Sequence, residues 1–242
     1  MTASARISSR QKVSAKRKIR RNAERTQQRL LQAAIRLFAE HGYHGVAVDQ
    51  IVMAAHVNKR MVYHYFGSKG GLFLEAFKAV YNRLGEVEFH AVERGRNPRE
   101  KLTRLLEGYF QFLDQDPVYT RFLLWTNLEG SKQLERDRNL FNKEPFFRQF
   151  QSIVEEGIKS GEFNSNLNVT QLLIHFIGLC FIYHSNQFSL SQGLQLDLSD
   201  SRVKAEGLNQ VIQLVFEGIT PRAGTGSQAS IPVAGNNQAA TN

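Results

Sequence analysis

The 242-residue chain has one cysteine, Cys180, so no internal disulfide is possible. A lone thiol fits a reducing compartment and leaves folding to a packed core. No apolar run approaches the ~18 residues that a spanning helix needs. The basic N-terminus is not followed by the apolar segment of a secretory signal. A cytoplasmic protein is therefore expected. Only five prolines interrupt the chain, and no stretch shows the strict alternation of a half-buried strand. Internal repeats are lacking too. What remains is amphipathic helix, in a chain long enough for one or two domains with a substantial core.

The charge is uneven. The net charge is +9. Residues 1–29 hold ten Lys or Arg against one acid, Glu24, whereas the other 213 residues hold 21 of each sign. The whole excess thus sits at one end, and a polyanionic partner explains it most simply. Residues 1–21 have no apolar periodicity and read as a disordered basic arm. Such an arm either only solubilises or touches phosphate and the minor groove, with salt-dependent affinity.

Residues 23–41 form an apolar stripe through Leu30, Ala34, Leu37 and Phe38, closed by Gly42. Val48, Ile51, Val52 and Ala55 repeat at helical spacing. After the break at His56-Val57, Asn58 is placed to cap a second short helix, 59–66. With about 100° per residue, Lys59, Arg60, Tyr63 and His64 share one arc of that helix, opposite Met61, Val62, Tyr65 and Phe66. Helix, tight turn and short helix with a basic outer face is a helix-turn-helix, whose second helix enters the major groove of double-stranded DNA. The candidate DNA contacts are Lys59, Arg60, Tyr63, His64 and Lys69, with Met61 and Gln50 at the flanks. Ser68 is placed to cap a fourth helix from Lys69 to about Leu84.

These residues resemble the tetracycline-repressor (TetR) family over about residues 23–85. The resemblance rests on Gly42-Tyr43, Val48, Ile51, Ala54-Ala55, Val57, Lys59, the run Val62-Tyr63-His64-Tyr65-Phe66, Ser68-Lys69 and Leu72. Departures from the family pattern are Ala47 in place of a capping Thr or Ser, His56 in place of a turn glycine, and Arg60-Met61 in place of Gly-Thr. Asp49 offers Ala47 partial compensation through the helix dipole, and His56 is expected at positive φ. The resemblance implies an all-α protein. An N-terminal three-helix helix-turn-helix domain (22–70) would precede a helical ligand-binding and dimerisation domain (71–219), with a disordered tail at 220–242. It also implies a homodimeric regulator, a repressor released from a near-palindromic operator by a small effector.

Beyond residue 85 the apolar patterns predict helices over 98–113, 117–130, 145–160, 169–187 and 202–219. The last two are expected to pack against their copies in a second subunit. Asn127 with Gly130, and 179–186, are similar to the branch containing the pyrimidine-utilisation regulator. For an effector pocket the candidates are the large residues Tyr109, Phe112, Phe122, Trp125 and Phe176, with Asn127, His175, Tyr183 and His184 to orient a ligand.

No catalytic constellation emerges. Cys180 and His184 lie at i, i+4 but are too few for a structural zinc, and His175 points away from His184. Asp114 and Asp116 look like a helix end. No metal and no cofactor are expected, and no enzymatic activity. The alternative reading is a DNA-bound structural or division-linked protein with the same head and a filled body that binds protein and takes no ligand.

Overall fold

The computed structural model describes residues 3–85, 95–129, 134 and 144–221. Among these residues it contains ten α-helices and no strand. Helix α1 spans Ala3–His41, α2 Val48–Ala55, α3 Arg60–Phe66 and α4 Lys69–Tyr81; α5 follows at Pro98–Gln115, α6 at Pro117–Glu129, α7 at Glu144–Lys159, α8 at Val169–Ser185, α9 at Gln187–Leu194 and α10 at Ser201–Ile219.

The basic arm departs from the expectation of coil. Residues 3–21 form a continuous extension of α1. The stretch has neither proline nor glycine and is rich in Arg, Ala and Lys, whose helix propensity needs no apolar periodicity. At 1.5 Å per residue, α1 is about 58 Å long. The expected tail beyond 221, the turn at 86–94 and most of the charged stretch at 131–142 lie outside the described residues.

Caps set the boundaries where the sequence places them. Ser68 Oγ accepts from Gly71 N at 3.0 Å, opening α4. Asn58 Oδ1 accepts from Arg60 N at 2.8 Å, opening α3. Asn97 and Asn168 do the same for α5 and α8. Ala47 has no side chain to offer. Instead Gln50 Oε1 folds back to accept from Ala47 N at 2.7 Å. His56 adopts φ 50°, the left-handed geometry that a glycine would take without strain. Helix α9 is not foreshadowed by the apolar pattern: its sequence QFSLSQGL has no continuous apolar stripe, and its Phe188 is 81% exposed.

The head consists of α1–α4. Leu30, Ala34 and Phe38 of α1 meet Ile51 of α2, Val62 of α3 and Leu72 and Phe73 of α4, all buried. The body is built on α5, which touches α6, α7, α8 and α10. Gly207 on α10 lets the Tyr183 ring of α8 approach, since a Cβ there would lie 2.8 Å from Tyr183 Cζ.

Head and body are joined through α6, which packs on both α1 and α4. An aromatic cluster fills this seam. Phe38 meets Phe73 edge-on at 5.1 Å, and Phe122 of α6 lies 5.3 Å from Phe73 and 5.8 Å from Phe77. Phe122 is almost fully buried here. Burial of a side chain this size stabilises by about 1.5–3 kcal/mol.

Candidate nucleic-acid interface and effector cavity

Helix α3 presents its faces as its sequence requires. Val62 is buried, and Tyr65 and Phe66 are half-buried against the head core. Arg60, Tyr63 and His64 are exposed on the opposite side, with Tyr63 at 50%. Lys59, just before the helix, reaches back across the turn to Asp49 at 2.9 Å. The same carboxylate raises the Lys59 pKa, first by its hydrogen bond and then by its charge. Asp49 therefore ties α2 to the start of α3 in addition to any dipole role. A contact from α1 closes the turn: Arg29 Nη2 donates to His56 O at 3.1 Å.

Three candidates are not free to reach DNA directly. Met61 is half-buried against the core, on the apolar arc where the helical spacing puts it. Gln50 is exposed, but its amide oxygen is engaged in capping α2. Lys69 turns inward, its Nζ lying 4.3 Å from the centroid of the Tyr43 ring. Partial burial lowers its pKa, opposed by the charge of Glu129. A cation over an aromatic face and beside a carboxylate is held at the head–body seam, not extended towards solvent.

The residue that organises this seam carries no signal in the sequence. Glu129, at the end of α6, accepts from Tyr43 N at 3.1 Å and from His44 N at 3.4 Å. Both amides belong to the turn between α1 and α2. Gly42, at φ 69°, makes the approach possible: a Cβ there would lie 2.6 Å from Glu129 Oε1 and 2.8 Å from the Trp125 ring.

The body holds a partly open cavity of about 170 Å³. Tyr81 at the end of α4 and Leu84 just beyond it line the cavity, with Leu105 and Tyr109 from α5, Tyr119 and Leu123 from α6, Phe146 from α7, and Leu173, Phe176 and Ile177 from α8. Of the nine expected pocket residues, only Tyr109 and Phe176 are among them. Phe112 is buried against Tyr119 instead. Phe122 belongs to the aromatic seam and Trp125 to the Gly42 turn. Asn127 is exposed on the outer side of α6. Tyr183 packs on Phe110 and Gly207.

The two histidines of α8 diverge. His175 lines an open groove between α8 and α10. His184 contacts the Phe110 ring and lines a separate groove that also holds Asp114 and Lys204, which are ion-paired. Burial lowers the His184 pKa to about 4, so its imidazole is neutral near pH 7. Cys180 is buried, which raises its pKa to about 12 and leaves an inert thiol. Among the described residues no group of three or more potential metal ligands occurs, and no helix is long and apolar enough to cross a membrane.

One further face among the described residues is apolar and exposed. Ile174 on α8 and Leu214 on α10 are 53% and 57% exposed beside that open groove, and Ile182 is exposed nearby. Contiguous exposed aliphatics of this kind mark a protein contact surface.

Known proteins share this arrangement. Residues 30–76 match the model for bacterial regulatory proteins of the tetR family, and residues 98–215 match the tetracyclin repressor-like C-terminal domain. The chain belongs to the TetR family. It is 29% identical over 199 residues to the HTH-type transcriptional repressor NicS of Pseudomonas putida, covering 81% of this chain and 93% of that one. Over 201 residues it is 28% identical to the HTH-type transcriptional regulator YdgC of Bacillus subtilis, covering 81% and 94%. In structure it is similar to FadR of Bacillus subtilis in complex with stearoyl-CoA, with a TM-score of 0.62, 22% identity and coverage of 79% and 98%. The ketosteroid transcriptional regulator KstR2 of Mycobacterium tuberculosis gives a TM-score of 0.60 at 19% identity, with coverage of 81% and 95%. TetR-family regulators bind DNA and act as dimers, so this chain is a DNA-binding transcriptional regulator. The expected pyrimidine-utilisation branch is not supported by these relatives.

Proposed function

We propose that the protein is a homodimeric repressor which an effector in the body cavity releases from a near-palindromic operator. The observation that carries this reading is the reach of α6. Its first half supplies Tyr119 and Leu123 to the cavity, and its last two turns supply Trp125 and Glu129 to the Gly42 turn of the head. A filled body, which the structural-protein reading requires, is what the cavity argues against.

On the DNA, Arg60 approaches base edges or phosphate from the first turn of α3, and Tyr63 and His64 hydrogen-bond phosphates. Lys59 does so only by exchanging Asp49 for a phosphate. The basic N-terminal part of α1 adds sequence-independent phosphate contacts and a steep salt dependence. Lys69 serves the seam first, and Met61 and Gln50 contribute indirectly by setting the pose of α3 and α2.

The aliphatic face of α8 and α10 closes on its own copy, which places two heads on successive major grooves about 34–36 Å apart. An effector that fits better when α6 is displaced draws the protein into a state with the wrong head spacing. The release is then the difference in effector affinity between the two states. No catalytic step is assigned to any residue. The protein acts in the bacterial cytoplasm, at the nucleoid.

The test is selection of bound duplexes from a random library by the full chain, followed by titration with the Arg60→Ala and Tyr63→Phe variants. Weaker binding by both, with relaxed base preference for Arg60→Ala, supports the assignment. Unchanged binding and preference in both removes it.

A further inference from the structure

We infer that the effector is an uncharged molecule of one or two aromatic rings, not an acid and not a long acyl thioester. This rests on the reading of the cavity as the effector site. Three features of the walls carry it.

The first is charge. Every described side chain that lines the cavity is uncharged: three tyrosines, two phenylalanines and aliphatics. A carboxylate or phosphate entering it would lose its hydration and find no Arg, Lys or His among the described lining residues to replace it. The two histidines that the sequence offers as orienting groups face other grooves.

The second is size. At about 170 Å³ the cavity is close to the roughly 150 Å³ that holds a benzene within a protein core. Pockets for drug-sized ligands run to roughly 300–1,000 Å³. A ligand like the stearoyl-CoA bound by FadR of Bacillus subtilis is far too large.

The third is shape. Tyr81 and Tyr119 stack at 6.2 Å with 17° between their planes, and Tyr109 and Phe176 stack at 6.4 Å with 24°. Two ring pairs, each nearly parallel within itself, thus form part of the walls, contributed by α4 with α6 and by α5 with α8, and aliphatic side chains and Phe146 complete them. Flat aromatic faces complement a flat guest through dispersion and offset stacking.

The experiment uses the full-length protein with a duplex from the selection above, and three probes: toluene, nitrobenzene and benzoate. Nitrobenzene and benzoate share an outline and differ in charge. Thermal melting reads binding, and duplex titration reads release. Toluene and nitrobenzene are expected to raise the melting midpoint and weaken duplex binding by roughly tenfold, and benzoate to do neither. Leu105→Phe, which fills the cavity from α5, and Leu123→Phe, which fills it from α6, are expected to abolish the melting shift while the duplex still binds. A shift with benzoate or stearoyl-CoA as large as with nitrobenzene overturns the inference, as does the absence of any shift with both neutral probes. Neutral probes that shift the melt in the parent but not in the filled variants, with duplex affinity unchanged, uphold the ligand class and remove the effector role instead.

Discussion

Glu129 accepts hydrogen bonds from the backbone amides of Tyr43 and His44, at 3.1 and 3.4 Å across 86 and 85 residues of chain. One carboxylate at the end of a body helix thus satisfies two donors in the turn that leads into the helix-turn-helix. A carboxylate on a pair of free amides makes bonds stronger than neutral ones. The amide pair is in effect the rest position of α6 on the head.

Glu129→Ala breaks that link without touching α3 or the cavity lining. The expected loss of stability is about 1–2 kcal/mol, since part of the site is open to water. Operator affinity without effector is expected to change less than the response to a bound neutral probe, which falls severalfold. Equal responses in parent and variant, measured by duplex titration with and without nitrobenzene, would show that the coupling runs elsewhere.

Gly42→Ala tests the same joint from the other side. The new methyl meets Glu129 and the Trp125 ring at a backbone φ of 69°. Strain at such a position costs on the order of 1–3 kcal/mol, read as a lower denaturant midpoint. Trp125 is the sole tryptophan, so its fluorescence reports on this joint directly and is expected to shift in the variant. An unchanged midpoint would mean that α6 is free to withdraw at no cost.

The helices are legible in the sequence because periodicity and caps agree locally. Ser68 and Asn58 each open a helix beside an apolar stripe, and the divided faces of α3 follow from spacing alone. The arm escapes the same reading because apolar periodicity signals a buried face, whereas a stretch of Ala, Lys and Arg without that periodicity still has helix propensity. The cavity is mostly illegible for a different reason. Residue type says that Phe122 and Tyr119, three apart on α6, are both large and apolar. It does not say that one fills the seam with Phe73 and the other turns to the cavity. Glu129 carries no signal at all, since nothing in a sequence joins it to Tyr43.

His184 gives a pH prediction with a fixed sign. Its folded pKa, about 4, lies below the ordinary 6.5. The unfolded chain therefore binds the proton first, and stability falls as pH drops from about 6.5 towards 4. The slope from this group is at most about 1.4 kcal/mol per pH unit, reduced by the solvent that still reaches the ring. Denaturation of the parent and of His184→Gln at pH 7 and pH 5 isolates it. The gap between the two pH values is expected to narrow in the variant; an unchanged gap assigns the acid sensitivity to other groups.

Deletion of residues 1–22 removes eight of the ten basic residues at that end. Duplex binding is expected to weaken at low salt for every sequence alike. The slope of log affinity against log salt is expected to fall by nearly one for each phosphate that the shortened protein leaves to its counterions. Base preference is expected to stay as it is, since that is set by α3. A changed preference at constant slope would place the N-terminal part of α1 in a groove.

The most direct measurement is the stoichiometry and residue dependence of duplex binding: light scattering of the full chain with a selected palindrome, repeated with Arg60→Ala. The account predicts a protein dimer in solution, one dimer per palindrome, and affinity reduced by about 1–3 kcal/mol in the variant. A monomer that binds no duplex at low salt, or a dimer whose affinity ignores the loss of Arg60, would contradict it.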